Sequence, residues 1–243
     1  ITYGTIENLN IGLGSGSDAL SIRSSSAVTT VNAGSGDDTI NVGGLAPATG
    51  GTVNAISGPL MINGETGIDI LNVDDSGDPD ANTGTLTDST IMGLGMADAI
   101  TYGMFEELTI GLGSGGDIFT IASTHDGSTS LNTGSGDDMI NVGSLAPAAG
   151  GTVNAINGPL TINGQAGIDT LNVDDTGDTA ANTLFLTSAA ITGLGMSDGI
   201  AYGTLANLFI GLGSGSDTIN VRTTSAATTI NTPKIKSKAL RGT

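Results

Sequence analysis

Apolar and polar residues alternate in short segments along the whole chain. Each of nine similarly placed aspartates is followed two and four positions later by an apolar residue. The pairs are Leu20/Ile22, Ile40/Val42, Leu71/Val73, Ile100/Tyr102, Phe119/Ile121, Ile140/Val142, Leu171/Val173, Ile200/Tyr202 and Ile219/Val221. A period of two with β-branched residues predicts strands with one buried face, and no segment has a helical period. We therefore expect an all-β protein.

A second strand is predicted before each of the glycine-rich turns that carry these aspartates, as at 9–11, 30–32, 60–62 and 90–92. Each unit would then consist of a strand, a tight turn, a second strand and a return loop. The longer return loops leave room for a short third strand, which we predict at 52–56.

The units recur in a fixed order. The segment ITYGTIENLNIGLGSGSD, which starts at Ile1, returns in variant form from Ile100 and from Ile200. Within each repeat the aspartates follow one another at intervals of 19 to 31 residues. Such periodicity predicts a solenoid of stacked coils of about that length. We expect it to cover 1–231, as two repeats (1–99 and 100–199) and a partial third (200–231), with a basic non-repeat tail at 232–243.

The composition narrows the possible functions. The chain has 40 glycines, no cysteine and no tryptophan, so disulfides are excluded, while 37% hydrophobic residues argue against disorder. There are 24 acidic against 6 basic side chains, which argues against nucleic-acid binding and attraction to an anionic membrane. No apolar run is long enough for membrane insertion. The start at Ile1, without a signal peptide, suggests a piece of a longer protein.

The acidic side chains are concentrated in the glycine-rich turns, which hold 11 of the 24. Stacked coils would place equivalent turns about 4.8 Å apart, so that their carboxylates would repel one another. The chain has almost no lysine or arginine to offset this charge, and a hard divalent cation such as calcium, which binds carboxylate and carbonyl oxygens, is the natural candidate. We expect the aspartates to form one row along a single edge of the solenoid.

The segments GSGSDALSI and GSGDDTINV resemble the calcium-binding nonapeptide of hemolysin-type (RTX) repeat proteins, G-G-x-G-x-D-x-U-x. The resemblance covers about residues 1–231. It implies a right-handed parallel β-roll, calcium between like turns, and a secreted protein of the bacterial cell surface. The first glycine of the motif is replaced by Leu13, Ala33 and Thr133 in three of the turns. The implied metal ligands are Asp18, Asp37, Asp38, Asp69, Asp117, Asp137, Asp138, Asp169 and Asp217, with Gly14, Gly16, Gly34, Gly36, Gly113, Gly115, Gly134, Gly136, Gly213 and Gly215.

A second acidic cluster lies outside these turns. It comprises Asp74, Asp75, Asp78 and Asp80, and it returns as Asp174, Asp175 and Asp178. The cluster lacks the glycine and the terminal glutamate of an EF-hand loop. A solvated acidic loop and a second calcium site both remain open.

We predict no catalytic residues. The only histidine, His125, has no histidine counterpart in the first repeat, and Tyr3, Tyr102 and Tyr202 are repeat equivalents in a core position. A catalytic site normally interrupts a repeat at one place, and no such interruption is evident. A polysaccharide-active β-helix enzyme is therefore the least favoured reading.

We expect a calcium-stabilised structural or adhesive segment of a larger secreted surface or filament-forming protein. Copies of the chain stacked end to end, or a surface glycan, are the expected partners. The alternative is a surface-recognition solenoid that binds carbohydrate or ice through an outward ladder of mixed polar residues. That ladder would comprise Ser21, Asn41, Asn72, Thr101, Thr120, Asn141, Asn172, Ala201 and Asn220.

Overall fold

The computed structural model describes residues 1–233, and the predicted tail at 232–243 lies almost entirely outside them. The described chain is all-β and contains no helix. Its strands are β1 (Asn8–Ser15), β2 (Ala19–Ile22), β3 (Val28–Ser35), β4 (Thr39–Val42), β5 (Leu60–Thr66), β6 (Ile70–Asp74), β7 (Thr83–Leu86), β8 (Thr90–Gly93), β9 (Ile100–Gly103), β10 (Glu107–Gly111), β11 (Ile118–Ile121), β12 (Ser128–Asn132), β13 (Met139–Val142), β14 (Leu160–Asn163), β15 (Thr170–Asp174), β16 (Thr183–Leu186), β17 (Ala190–Gly193), β18 (Ile200–Gly203), β19 (Asn207–Gly211), β20 (Thr218–Val221) and β21 (Ala227–Asn231).

These strands form two sheets that are mainly parallel. The eleven-stranded sheet has the order β1-β3-β5-β9-β8-β7-β11-β13-β15-β19-β21, and the ten-stranded sheet has the order β2-β4-β6-β10-β12-β14-β18-β17-β16-β20. Outside the hairpins the chain alternates between the sheets, an arrangement consistent with a β-solenoid. The predicted third strand at 52–56 is wrong: that segment is a turn, and its strand-like pairing is limited to an isolated bridge between Ile56 and Ser25.

Each long repeat contains one antiparallel insertion that the sequence did not predict. In the first repeat β7, β8 and β9 lie side by side in the eleven-stranded sheet, and β8 runs antiparallel to both neighbours. In the second repeat β16, β17 and β18 form the same motif in the ten-stranded sheet. The turns that carry Asp98 and Asp198 therefore connect the antiparallel strands of a hairpin and are not turns between stacked parallel strands.

The insertion changes the edge on which the next glycine-rich turns lie. We call the edge where the chain crosses from the eleven-stranded to the ten-stranded sheet the first edge, and the opposite crossing the second edge. The turns with Asp18, Asp38 and Asp69 lie on the first edge, since β1, β3 and β5 lead into β2, β4 and β6. The turns with Asp117, Asp138 and Asp169 lie on the second edge, since β10, β12 and β14 lead into β11, β13 and β15. The turn with Asp217, between β19 and β20, is on the first edge again. The expected single row is therefore wrong.

The core is built from the predicted apolar pairs, except that the pair Ile219/Val221 is exposed and Tyr3 is only half-buried. Ile40, Val42, Leu71, Phe119 and Ile121, for example, are completely buried, and Tyr102 and Tyr202 occupy core positions as expected. The fully buried side chains lie in one continuous cluster between the sheets. No helix that could cross a membrane occurs within residues 1–233.

The two repeats differ at one pair of core positions on adjacent strands. The first repeat has a very small and a large residue there, and the second has two of intermediate size. Gly84 pairs with Phe119, and a Cβ added to Gly84 would lie 2.6 Å from the Phe119 ring. The equivalent pair in the second repeat is Leu184 with Ile219. We expect Gly84→Leu to destabilise the protein by about 1–3 kcal/mol through overpacking.

Adding Phe119→Ile to Gly84→Leu should recover most of that loss, because the double variant carries the residues of the second repeat. Urea denaturation of the two single variants and the double variant gives the coupling energy. Additive effects would show that the two side chains do not share one space.

Candidate functional site

The first row of carboxylates connects successive coils on the first edge through their backbone. The N–H of Asp18 donates to Oδ1 of Asp38 at 2.7 Å, and the N–H of Asp38 donates to Oδ1 of Asp69 at 2.8 Å. The N–H of Asp69 donates in turn to Oε2 of Glu106 at 2.7 Å. Each carboxylate thus accepts a hydrogen bond from the neighbouring coil, which satisfies a backbone group that parallel pairing does not reach.

The second row repeats this geometry on the second edge. The N–H of Asn82 donates to Oδ1 of Asp117 at 2.7 Å, and that of Asp117 donates to Oδ1 of Asp138 at 2.8 Å. The N–H of Asp138 donates to Oδ1 of Asp169 at 3.1 Å. On the first edge, Asp217 accepts from the N–H of Asn182 at 3.0 Å, in the same way as Asp117 accepts from Asn82.

The second oxygens of four of these aspartates are buried and have no hydrogen-bond partner among the described residues. They are Oδ2 of Asp38, Asp69, Asp138 and Asp169. Burial, partly offset by the backbone hydrogen bond and reinforced by neighbouring carboxylates, raises the pKa of Asp69 and of Asp169. Burial also raises the pKa of Asp117. The rows therefore carry negative charge that hydrogen bonding alone leaves incompletely compensated.

Asp37 and Asp137 lie on the solvent-exposed side of the same glycine-rich turns. Oδ1 of Asp37 accepts from the N–H of Ile68 at 2.9 Å, and Oδ1 of Asp137 accepts from that of Ile168 at 2.8 Å. Their carboxylates thus lie beside the rows and also bridge to the next coil.

Most of the predicted glycines are required by the turn geometry. Positive φ angles between +87° and +125° occur at Gly14, Gly16, Gly34, Gly36, Gly134 and Gly136. The remaining four pack closely against a neighbouring loop, where an added Cβ would meet backbone atoms within 2.4 Å; they are Gly113, Gly115, Gly213 and Gly215. The glycines thus allow neighbouring turns to stack in contact.

The available oxygen atoms are of the type that calcium binds, but too few acidic side chains lie together to hold an ion by themselves. Buried carboxylate oxygens without partners, next to turn carbonyls, are the hard oxygen ligands that calcium takes. Within residues 1–233, however, no three or more acidic or histidine side chains are grouped so that they could hold an ion. A bound calcium would therefore have to complete its shell with turn carbonyls and water, and Asp38, Asp69, Asp138 and Asp169 are the side chains with an oxygen to offer.

The second acidic cluster is integrated into the fold. Asp75 is 1% exposed, and its Oδ1 accepts from the N–H of Val53 at 2.9 Å. Burial raises the pKa of Asp75 to about 7, and Asp78, Asp117 and Asp74 add to the shift. Asp175 repeats this environment, and its pKa is also raised to about 7. These carboxyls are structural groups rather than the solvated loop that we considered from the sequence.

The pKa of Asp78 is shifted in the opposite direction. Burial alone would raise its pKa, but hydrogen bonds from the N–H of Asp80 and from the side chains of Asn54 and Asn82 hold it below the usual range. Asp178 is likewise held down, chiefly by the N–H of Ala180.

The polar ladder considered for surface recognition is divided between the two sheets. Ser21, Asn41 and Asn72 are adjacent in the ten-stranded sheet, whereas Thr120, Asn141 and Asn172 are adjacent in the eleven-stranded sheet. Each sheet thus carries a short polar row, two members of which, Thr120 and Asn141, are buried rather than outward-facing, and a single continuous ladder does not exist among the described residues.

His125 packs against a core tyrosine. Its ring meets that of Tyr102 edge to face, with 5.7 Å between centroids, and burial lowers the pKa of His125. The Tyr102 hydroxyl donates to the carbonyl of Thr87 at 2.7 Å. A cavity of about 430 Å³ beside them is lined by Asp88, Glu106 and Asp126 among others. The arrangement matches the packing role that the sequence suggested for Tyr102.

Sequence reasoning missed Glu106, Asn82 and Asn182 as members of the rows. Glu106 does not follow a glycine-rich turn, and Asn82 and Asn182 take part through their backbone. Glu106 has an acidic equivalent in the first repeat, Glu7, but its equivalent in the third is Ala206. The repeat pattern alone therefore did not mark it as a member of a row.

No protein-family model matches the chain, and comparisons with curated proteins and with solved structures found no similar one, so the likeness to RTX repeats rests on the sequence motifs alone.

Proposed function

We propose that the chain is a right-handed, calcium-stabilised β-solenoid that serves as a rigid segment of a larger secreted surface protein. The observation that supports this is the pair of aspartate rows, whose second oxygens are buried without partners. Every turn of a row contributes to the connection between coils, so the rows are a device for stability. Calcium would supply the missing positive charge at Asp38, Asp69, Asp138 and Asp169.

A mechanical role also agrees with the way the rows alternate. Because consecutive repeats place their rows on opposite edges, both edges of a long array would be reinforced in turn. The outer strands β1, β2, β20 and β21 each have one edge without a partner strand within residues 1–233, and this edge could pair with a further coil, either of a longer chain or of a second copy. The proposal includes no catalytic step.

Calcium should raise the thermal stability of the chelated protein. At a concentration of about 100 times Kd, one site contributes about 2.7 kcal/mol, which corresponds to a Tm increase of about 5–10 °C for a chain of this size. Circular dichroism melting in excess chelator and in millimolar calcium measures the difference. Identical melting curves would remove the metal from the proposal and leave only a structural solenoid.

The variant Asp138→Asn separates the effect of calcium binding on stability from the effect of the hydrogen bond that Asp138 accepts. Asparagine keeps an oxygen that can accept from the N–H of Asp117, so the Tm in chelator should change by only a few degrees. The calcium-dependent increase should shrink by at least half, because the charge is gone. Asp98→Asn, at an exposed hairpin turn outside both rows, is the control and should keep the full increase. Equal calcium responses in both variants would place any ion elsewhere.

A further inference from the structure

An open groove of about 770 Å³ lies on the outer face of the ten-stranded sheet, where the first and second repeats meet. One wall is the loop segment 46–49, and the other is formed by the turns at 112–114 and 134–135. The floor crosses β4, β6, β10 and β12, and three strand spacings give it a length of about 14 Å. Its volume is within the usual range for small-molecule sites.

The floor presents amide and hydroxyl groups in register. Asn41, Asn72 and Thr109 face outward side by side on adjacent strands. Nδ2 of Asn72 donates to Oδ1 of Asn41 at 3.0 Å, which fixes both amides and leaves Nδ2 of Asn41 and Oδ1 of Asn72 free of partners in the described part of the chain. An approaching ligand would therefore meet a preorganised donor and a preorganised acceptor.

Gly111 provides the depth of the groove. It pairs with Asp74 and Asn132 on the neighbouring strands, and it places no side chain on the floor. A Cβ added there would approach no atom more closely than 3.7 Å, so a larger residue would fit on the strand and project into the groove.

The loop wall is held in place from below. Oδ2 of Asp74 accepts from the N–H of Gly51 at 2.8 Å, and Oδ1 of Asp74 accepts from the hydroxyl of Ser76 at 2.5 Å. From the other side, Nε of Arg23 donates to the carbonyl of Ala46 at 2.8 Å. The wall is therefore preformed; Ala46 itself is buried, and the exposed side chains of the wall include the small apolar groups of Pro47 and Ala48.

The charge of the groove and of the whole chain limits which class of ligand the groove can bind. Among residues 1–233, none of those that line the groove is basic, and the whole chain has a formal net charge of −18, so an anionic ligand would be repelled. The carboxylate of Asp74, the one acidic group of the lining, is already engaged by the loop. What remains is an uncharged surface of amides and hydroxyls with an apolar wall, which fits the hydroxyl groups and C–H faces of a sugar.

We propose that this groove binds an uncharged oligosaccharide of a few sugar units. The corresponding place at the junction of the second and third repeats is not equivalent, because Phe209 occupies the position of Thr109 and Asn141 is almost fully buried. Within residues 1–233 the site therefore occurs at the junction of the first and second repeats. It uses none of the row aspartates, although one wall is formed by the glycine-rich turns that carry Asp117 and Asp138.

The test is a glycan microarray that carries neutral and acidic hexasaccharides and unrelated peptides, followed by titration calorimetry with the tightest neutral binder. Asn72→Ala and Gly111→Leu should each weaken binding at least tenfold, the first by removing an acceptor and the second by filling the floor. Both experiments are run in calcium, with melting curves to verify that each variant is folded.

Two matched controls are provided by the chain. Asn63→Ala removes an equivalent amide pair with Asn32 on the other sheet, and Gly12→Leu makes the same change at the repeat equivalent of Gly111. Both should bind within twofold of the unmodified protein. Absence of neutral binders at millimolar concentration, binding confined to acidic sugars or peptides, or equal losses in variants and controls would each overturn the proposal. A failed calcium response with intact sugar binding would overturn only the proposed function.

Discussion

Replacing Gly34 by alanine is expected to disrupt the stacking of the first two coils. Gly34 has a φ of +106°, and a Cβ there would lie 1.9 Å from the carbonyl oxygen of Gly14 in the neighbouring turn. The carbonyl oxygen belongs to the backbone and the Cβ is fixed rigidly to it, so neither atom can move without separating the coils. We expect a Tm reduction of about 10 °C or more, from the clash together with about 1–2 kcal/mol of backbone strain.

Gly14→Ala is the matched control for this prediction. Gly14 has nearly the same φ, +110°, but an added Cβ there meets nothing within 4 Å in this chain. Only the backbone strain remains, and the Tm should fall by a few degrees. If Gly34→Ala does not accumulate as soluble protein, limited proteolysis of refolded material provides the comparison. Equal effects of the two substitutions would contradict the stacking of these turns.

Thermal stability in chelator should be greatest in mildly acidic solution and fall as the pH rises through about 7. The folded-state pKa of Asp75 and of Asp175 is about 7, above the ordinary value of 3.8. The folded protein therefore retains two protons that the unfolded chain releases between these values. The associated stability is fully present below about pH 4 and is lost as the pH rises through 7, on the order of a few kcal/mol for each carboxyl.

Asp78 and Asp178 have the opposite effect on the pH dependence of stability, and they set the lower limit of the pH range in which the protein is most stable. Their pKa is held below the usual value by hydrogen bonds, so the stability that they contribute is lost as the pH falls through their folded-state pKa. Circular dichroism melting from pH 3 to pH 9 should thus show a maximum between these two transitions.

The double variant Asp75→Asn/Asp175→Asn should remove most of the loss at high pH. Asparagine retains the acceptor for the N–H of Val53 and of Val153 but carries no charge. We expect its Tm at pH 8.5 to exceed that of the unmodified chain by about 5 °C or more, and the two proteins to converge below about pH 4, where both carboxyls are protonated in the folded and unfolded chain. Asp98→Asn serves again as the control. A pH profile that the double variant leaves unchanged would show that other groups control the transition.

Several features of the fold and the site follow from local sequence. The alternation at Ile40/Val42 and Leu71/Val73 specified which residues are buried, because a strand has only two faces and the apolar residues must all occupy one of them. The spacing from Asp18 to Asp38 and from Asp38 to Asp69 specified which carboxylates meet, since each interval spans one coil. The repeat also predicted that the second copy would reproduce these contacts at Asp117, Asp138 and Asp169.

Local sequence does not specify which strands pair across long distances. The segments that form β8 and β9 resemble the other units, yet β8 runs antiparallel and β9 pairs with β5, 40 residues earlier in the chain (Leu60 with Ile100). That pairing is decided by competition among many similar strands for the free edges of the sheets, and a short motif contains no information about its outcome. For this reason Glu106, rather than Asp98, completes the first row.

By itself, the sequence determined an all-β chain, its buried apolar positions, its repeat and the acidic character of its turns, because each depends on residues close together in the chain. Only the tertiary structure decided that the aspartate rows alternate between two edges and that a groove forms over Gly111. Both depend on which strands become neighbours, and the three-stranded insertion shifts the path of the chain so that the next turns lie on the opposite edge.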